Sequence, residues 1–189
     1  ADRSAVMTAL RAESDQLVAR HPFGTSSVFE LRPWDESTVD SPEHQGLTPV
    51  DLSTLELTAS HEPARLQNAL DGNEATRWTT DRPQAGDEWI ELVFAQPTDV
   101  AHVRLSMGRS LHDYPRHLVV EGSNDGLTYR ELYRGYGFPG FLLGLVHEPD
   151  SLPVDVALPP NESRMLRLRQ TGRSPSFYWS IHDLKLWAR

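Results

Sequence analysis

A short loop, Ala69 to Thr80, reads ALDGNEATRWTT and holds the clearest candidate ligands in the chain. Asp71 and Asn73 flank a glycine in a typical turn sequence, and Thr76 follows within the same loop. A carboxylate, a hydroxyl and several backbone carbonyls on a tight loop are the ligands that a hard cation such as calcium requires. The loop is not an EF-hand. Its glycine does not stand at the sixth position of the loop, and the acidic ligands that follow this glycine in an EF-hand are missing. A hydrogen-bonded Asx turn without an ion is the alternative interpretation.

The signatures of common enzyme classes are missing from the sequence. It has no G-x-S-x-G nucleophile elbow, no phosphate-binding P-loop and no dinucleotide-binding glycine fingerprint. The eight histidines are scattered, and no two stand at i, i+2 or i, i+4 spacing. A catalytic group can still assemble from distant residues, so an enzyme in its own right stays as a third hypothesis.

Composition narrows the classes of partner. The chain has 189 residues, with 27 acidic and 18 basic side chains and a net charge of −9. This excess of negative charge argues against nucleic acid and against anionic lipid surfaces, which both attract cationic proteins. The absence of cysteine excludes thiol catalysis, thiolate metal sites and disulfides.

An all-β fold is predicted from residue 51 onward, because eight short segments have the composition of strands. In one of them Val103 and Leu105 alternate with His102 and Arg104, which is typical of a strand with one buried face. The sequence Asn-Asp-Gly at 124–126 predicts a hairpin turn. The predicted strands are Leu55–Ser60, Glu88–Phe94, Val100–Met107, His117–Ser123, Thr128–Tyr133, Val154–Leu158, Met165–Gln170 and Ser180–Trp187. We therefore expect an eight-stranded antiparallel jelly-roll sandwich over residues 51–189.

Residues 1–50 form a separate N-terminal extension in this interpretation. The spacing of apolar residues predicts an amphipathic helix over Ser4–Arg20, which Pro22 would end. A short strand is predicted over Ser27–Leu31, and Pro33–Pro49 has the composition of a linker. The extension either packs on the sandwich as an arm or is the remnant of a neighbouring domain.

Residues 55–189 resemble the discoidin or coagulation-factor type C family, whose galactose-binding-like domains include the family 32 carbohydrate-binding modules. The resemblance rests on five segments in the same order: LELTASHE, ALDGNEATRW, WIELVFAQPTDVAHVRLSM, VVEGSNDGLTYREL and FYWSIHDLKLW. It implies an eight-stranded jelly roll that binds ligands through the loops at one end. It also implies that Trp78 is a core residue rather than a platform for sugar stacking.

The resemblance implies a structural calcium site, for which sodium is the alternative ion. Asp71 matches its carboxylate ligand, and Thr76 matches the residue that gives a hydroxyl and a carbonyl. Asp183 stands where the family usually has glutamate, so this shorter ligand binds weakly or through water. The full set of expected metal ligands is Asn68, Asp71, Asn73, Thr76, His182 and Asp183.

The resemblance also implies a ligand site, but this chain departs from the galactose pattern at two positions. Thr79 replaces a histidine that reads galactose in those members, and Arg82 replaces an aromatic platform. An unusual glycan is therefore expected in place of galactose, with solvated loop residues and no glycan as the alternative. The residues expected to bind carbohydrate at one end of the sandwich are Glu62, Arg82, Arg109, His112 and Tyr114.

The leading functional hypothesis is a non-catalytic, monomeric carbohydrate-binding module of a larger extracytoplasmic bacterial protein. Its partner would be a glycan or a cell-surface polysaccharide. The lack of cysteine agrees better with bacterial relatives than with animal ones, which typically join their ends by a disulfide. The alternative is a structural or docking domain of a membrane-bound or secreted enzyme, without affinity for sugar.

The apolar segment Tyr136–Val146, YGFPGFLLGLV, is a second candidate contact surface. Its three glycines and one proline argue against a regular strand or a stable helix. Leaving such a segment in water forgoes about 1.5–3 kcal/mol for each large side chain. It therefore either folds back onto the sandwich, for instance against the predicted N-terminal helix, or projects as a contact for a protein or a membrane. We favour the fold-back.

Overall fold

A computed structural model describes residues 17–23, 26–31, 44–73, 75–110, 112–140, 142 and 153–189. The chain divides into two compact units, Ala1–Pro42 and Glu43–Arg189. The boundary expected from the sequence, at residues 50 and 51, lies eight residues further along. No helix within the described ranges is long and apolar enough to span a membrane.

The first unit contains a β-hairpin where the sequence predicts the end of a helix. Strand β1 (Leu17–Phe23) pairs antiparallel with β2 (Ser26–Leu31). The helix predicted over Ser4–Arg20 is therefore wrong for residues 17–20, and residues 4–16 lie outside the described ranges. Pro22, read as a helix terminator, lies within β1, where a two-stranded sheet tolerates proline because both strands are edges. The strand predicted over Ser27–Leu31 is confirmed.

The second unit is an antiparallel β-sandwich, as predicted. Its elements in chain order are β3 (Thr48–Pro49), the 3₁₀ helix η1 (Leu52–Thr54), β4 (Glu56–Ala59), the 3₁₀ helix η2 (Pro63–Ala69), β5 (Trp78–Thr79), β6 (Glu88–Thr98), β7 (Val100–Ser106), β8 (His117–Ser123), β9 (Arg130–Tyr136), β10 (Pro153–Ala157), β11 (Ser163–Gln170), β12 (Ser180–Ile181) and β13 (Asp183–Ala188). Each predicted strand is present, and the last one is divided between β12 and β13.

The strands form two main sheets and one small one. The four-stranded sheet has the order β10-β7-β13-β3, and the five-stranded sheet has the order β4-β6-β11-β8-β9. Strands β12 and β5 pair as a separate ribbon. Within the predicted linker, Thr48 and Pro49 form β3 and pair with Ala188 and Trp187, so the linker interpretation is wrong there. Residues 33–43 of that linker lie outside the described ranges.

The core lies between the two main sheets, because alternate residues of each strand point inward. In β7, Val103 and Leu105 are fully buried while His102 and Arg104 are half-buried on the outer face. The same alternation makes the leucines of β11 core residues and its arginines outward-facing. Trp78 is fully buried and packs edge-to-face on Trp179, with the ring centroids 5.2 Å apart. Its Nε1 donates a hydrogen bond to the His61 carbonyl at 3.0 Å. Its predicted core role is confirmed.

Several loops meet at one end of the sandwich. The last residue of β11, Gln170, pairs with Glu88 at the start of β6 and with Leu118 near the start of β8. Gln84 then joins three loops, since its Nε2 donates to the Tyr114 carbonyl at 3.0 Å and to the Tyr178 carbonyl at 2.6 Å. We call this region the loop end, and it comprises residues 60–62, 80–87, 107–110, 112–116 and 171–179.

The apolar segment after β9 is helical at residues 137–140 and 142, so the expectation of no helix is wrong there. Gly140 lies so close to the sandwich that a Cβ would stand 3.1 Å from Val154 Cγ1. Phe138 and Leu142 are half-buried, while Tyr136 is 65% exposed. These described residues follow the fold-back alternative. Phe141 and residues 143–146 lie outside the described ranges.

Candidate functional site

The loop that sequence analysis marks as a cation site folds around its own side chains. We call residues 68–76 the oxygen loop, in which residue 74 is not described. Gly72 has φ = 67°, the left-handed conformation that allows the tight turn. The Asn73 amide donates to Asp71 Oδ1 at 2.8 Å, and the Ala75 amide donates to Asn73 Oδ1 at 3.1 Å.

Three acceptor oxygen atoms converge on the Thr76 hydroxyl. Its Oγ1 lies 2.7 Å from Asp71 Oδ2, 2.8 Å from the Asn73 carbonyl oxygen and 3.3 Å from the Asn68 carbonyl oxygen. One hydroxyl hydrogen can be donated to only one of these three acceptors at a time. Carboxylate, hydroxyl and carbonyl oxygens in one place are the donor set that calcium or sodium takes. The residues present therefore fit a hard cation.

Hydrogen bonding also sets the charge of this loop. The Thr76 hydroxyl and then the Asn73 amide lower the pKa of Asp71, because both hydrogen bonds favour the carboxylate form. Asp71 is exposed, so water as well as the loop can stabilise its charge. A negatively charged ligand is thus maintained at neutral pH.

His182 and Asp183, the two expected metal ligands near the end of the chain, have other contacts in the fold. Ile181 pairs with Trp78, so the antiparallel chain after Ile181 runs toward the residues before Trp78. His182 is buried, and its Nε2 lies 3.0 Å from Ser110 Oγ. The Asp183 carboxylate lies 2.7 Å from Lys185 Nζ, which gives it a cationic partner of its own. Asn68, Asp71, Asn73 and Thr76 are therefore brought together, while His182 and Asp183 as metal ligands stay predictions.

Glu62 and Arg82, two of the expected sugar-binding residues, have internal ion-pair partners. Glu62 Oε2 lies 3.5 Å from Arg65 Nε, and Arg65 also contacts Asp81 at 2.8 Å. Arg82 hydrogen-bonds Asp87, and this bond lowers the pKa of the Asp87 carboxyl.

A second carboxylate, that of the buried Glu88, also lies close to Arg82. Its guanidinium lies 3.7 Å from Glu88 Oε1. Glu88 is fully buried and accepts hydrogen bonds from the Ala85 and Gly86 amides at 2.7 and 2.9 Å. Arg82 is thus directed toward acids of its own loop.

Aromatic rings and one guanidinium group form a surface on the other loops of the loop end. The His112 ring lies 4.7 Å from the ring of Phe177, which is 39% exposed. The Arg116 guanidinium lies over the Tyr114 ring at 4.0 Å and 5.3 Å from the Phe177 ring centroid. We call His112, Tyr114, Arg116 and Phe177 the aromatic surface. It contains two of the five predicted sugar-binding residues.

Arg109 is exposed in the same loop, directly after a constrained glycine. Gly108 has φ = 49°, and a Cβ there would stand 2.8 Å from His182 Cγ. A glycine is therefore needed where the loop crosses His182.

Sequence reasoning missed Phe177, Arg116 and Gln84. Phe177 lies in a segment quoted for its family resemblance, but nothing in its pattern separates this exposed ring from the buried Trp179. The turn-forming sequence Ser-Pro-Ser before Phe177 is a signal that could have placed it on a loop. Gln84 is buried and has no motif around it.

The family of the chain follows from comparison with known proteins. The model of the F5/8 type C domain matches residues 53–183. This match covers more than half of the chain and includes the oxygen loop and the loop end. The chain belongs to the F5/8 type C domain family. No curated protein matches it.

Solved structures of this class share the fold at low sequence identity. The family 32 module of NanJ from Clostridium perfringens, solved with galactose, is 16% identical with a TM-score of 0.58, over 75% of this chain and 98% of that one. A family 32 module of a family 31 glycoside hydrolase from the same organism is 21% identical with a TM-score of 0.57, over 75% and 95%.

A truncated AlyQ with family 32 and alginate lyase domains is 18% identical with a TM-score of 0.58. The match covers 77% of this chain and 34% of that one, so this chain spans about a third of it. At these identities the likeness shows the fold.

Proposed function

We propose that this protein is a non-catalytic carbohydrate-binding module whose ligand surface is the loop end. Family membership and fold support this class. Among the structural relatives, the NanJ module was solved with galactose, the AlyQ module with 4,5-unsaturated mannuronic acid, and a Clostridium perfringens module with GalNAc-β-1,3-galactose. Different sugars on one fold point to the loops as the source of specificity.

The observation that carries the proposal is the aromatic surface. An exposed aromatic ring can cover the apolar face of a sugar, while guanidinium and imidazole groups bind its hydroxyls. Phe177 and His112 supply rings from two different loops, and Arg116 lies against Phe177. Arg109 adds an exposed guanidinium to the same loop as His112.

The structure offers a reason to expect a sugar other than simple galactose. Thr79, at the position of the galactose-reading histidine, is only 5% exposed and so offers little surface to a ligand. Arg82, at the position of the aromatic platform, is paired with Asp87 and approaches Glu88. The ligand would therefore be recognised mainly by the loops around Arg109, His112 and Phe177.

The oxygen loop would hold a calcium-class ion with a structural role. Asp71, Thr76 and the carbonyls of Asn68 and Asn73 are its ligands in this proposal. An ion that binds only the folded chain stabilises it by mass action. The module would act in an extracytoplasmic compartment as part of a larger protein, where it brings that protein to a glycan.

A glycan array tests the proposal with the intact chain in calcium-containing buffer. We expect the wild type to bind a defined set of glycans. Isothermal titration with the strongest ligand should then show Phe177→Ala to be about tenfold weaker, or about 1.4 kcal/mol. Leu127→Ala is the matched control, because Leu127 is 88% exposed but lies on the hairpin between β8 and β9.

Two results would contradict the proposal. If the folded wild type binds no glycan above background, the docking domain without sugar affinity becomes the better account. If Phe177→Ala and Leu127→Ala bind equally well, the chain binds sugar elsewhere. Turnover of a chromogenic glycoside panel by the wild type would instead support an enzyme.

A further inference from the structure

A cluster of two imidazoles and one carboxylate lies on the outer face of the four-stranded sheet. His102 is on β7 and Asp155 is on the neighbouring strand β10, where it pairs with Arg104. Because Val103 and Val156 point into the core, His102 and Asp155 project from the opposite face of the sheet. His44 comes from the turn before β3. We call His44, His102 and Asp155 the histidine cluster.

The three side chains are close enough to share one ion. Each offers one ligand atom, and these atoms all lie within 4.8 Å of one another. His44 Nε2 is 3.6 Å from Asp155 Oδ1, and the two imidazole rings pack edge-to-face with centroids 5.0 Å apart. Among the residues that the structure describes, no other group of three histidines and acids meets this condition.

Two buried atoms of the cluster lack a hydrogen bond within the described ranges. Within the described ranges, neither His102 Nδ1 nor Asp155 Oδ1 has a hydrogen-bond partner. A buried polar atom without a hydrogen bond is unfavourable, so such atoms point to a ligand that the site can take. A bound cation would satisfy both at once.

Neighbouring residues hold the ligands in place. Arg104 donates to Asp155 Oδ2 from Nε at 2.9 Å and approaches the same oxygen with a terminal nitrogen at 2.8 Å. This leaves Oδ1 directed to the cluster. The His44 ring stacks on Trp187 of β13 with centroids 3.8 Å apart and planes 6° apart. Such outer contacts are what orients ligands at metal sites.

The donor set selects the ion. Calcium and magnesium take oxygen ligands, whereas two imidazoles with one carboxylate suit zinc and its neighbours in the first transition series. We propose that His44, His102 and Asp155 bind one zinc-class divalent ion, which fastens the turn before β3 to the outer face of the sheet. Three protein ligands leave a coordination position for water.

Titration of the full chain with zinc alone, near neutral pH and with calcium in excess, tests this proposal. We expect one ion per chain by isothermal titration. His44→Asn and His102→Asn should each weaken zinc binding at least about tenfold, since each removes an imidazole ligand. His117→Asn is the matched control, because His117 is a half-buried histidine of the other main sheet whose Nδ1 lies 2.7 Å from Thr171 Oγ1.

Further readouts keep the test decisive if a variant is unstable. Near-ultraviolet circular dichroism without zinc checks that each variant is folded. In the wild type, zinc should shift the ring resonances of His44 and His102 and leave those of His117 unchanged. Cobalt substitution should give a visible spectrum of a nitrogen- and oxygen-bound ion of low coordination number.

Three outcomes would overturn the proposal. The wild type could show no zinc binding, or both folded variants could bind zinc as tightly as the wild type. Zinc could also leave the wild-type melting temperature unchanged while His44→Asn lowers it. That last result would identify His44 and Asp155 as an ion pair without a metal.

Discussion

The oxygen loop and the loop end of this sandwich are built in opposite ways. The oxygen loop gathers its donors within nine residues, and its own hydrogen bonds hold them. The loop end gathers its groups from four segments of the chain, three of which Gln84 joins. A local motif can form an ion site with little help from the rest of the fold. A ligand surface assembled from several loops depends on the whole sandwich for its geometry.

The oxygen loop and the loop end also differ in the partners of their charged side chains. In the oxygen loop, Asp71 accepts hydrogen bonds from the Asn73 amide and the Thr76 hydroxyl, both within its own loop. At the loop end, Glu62 and Arg82 are neutralised by neighbouring charges. Loop position alone therefore does not identify a ligand-binding residue. Its partners in the folded chain must be known.

Removing the Asp71 carboxylate should have the largest effect. At a hundredfold excess over its dissociation constant, calcium should stabilise the wild type by about 2.7 kcal/mol, and Asp71→Ala should abolish that gain. Chemical denaturation with calcium and with chelator measures it. Asp125→Ala is the matched control, because Asp125 also accepts amide hydrogen bonds in a turn. If chelator leaves the stability of the wild type unchanged, the oxygen loop does not hold a stabilising ion.

Replacing one glycine in each region compares the oxygen loop with the loop end directly. Gly72→Ala in the oxygen loop should cost about 1 kcal/mol of unfolding free energy, because φ is positive but the new Cβ meets no described residue beyond its chain neighbours within 4 Å. Gly108→Ala at the loop end should cost about 2 kcal/mol, since the same strain is joined by a collision with His182. Urea unfolding measures both. Equal costs would mean that the loop at Gly108 yields as easily as the oxygen loop.

Two arginines test which loop-end charges reach the ligand. Arg109→Ala should weaken glycan binding about fivefold, because an exposed guanidinium can bind sugar hydroxyls. Arg82→Ala should leave the affinity nearly unchanged, because its partners are Asp87 and Glu88. Titration calorimetry distinguishes the two variants. A larger loss for Arg82→Ala would show that its pairs open when the ligand binds.

The smallest expected effect is on the titration of Asp71. Thr76→Val removes the hydroxyl that contributes most to the lowered pKa, so the pKa of Asp71 should rise toward its ordinary value. A lowered pKa in the folded state contributes stability above the unfolded pKa, and this is lost as the pH falls through the folded pKa. Carboxyl-carbon NMR in chelator measures the shift. An unchanged pKa would mean that the Asn73 amide alone sets it.

Much of the fold could be predicted because its signals are local. Alternation in β7 predicted that strand and its buried face, and the turn sequence at 124–126 predicted the β8–β9 hairpin. The helix predicted over Ser4–Arg20 failed at residues 17–20, because pairing with β2 decides the structure and no local pattern reports it.

The candidate sites also differ in whether their residues lie close together in the sequence. Asp71 and Thr76 are close in sequence, so their proximity in space was predictable. Phe177 and His112 are far apart in sequence and meet only through the fold. The histidine cluster joins His44 to Asp155 across more than a hundred residues, so spacing alone could not indicate it.

The central claim, that glycan binds on the aromatic surface of the loop end, can be tested by NMR mapping. Isotope-labelled protein would be titrated with the strongest ligand from the glycan array. We predict that the largest amide shifts fall within residues 108–110, 112–116 and 174–178. Shifts confined to the polar hollow of the β8–β9 hairpin, around Asp125 and Arg130, would contradict it. So would shifts confined to the outer sheet face where Arg167 lies over Tyr129.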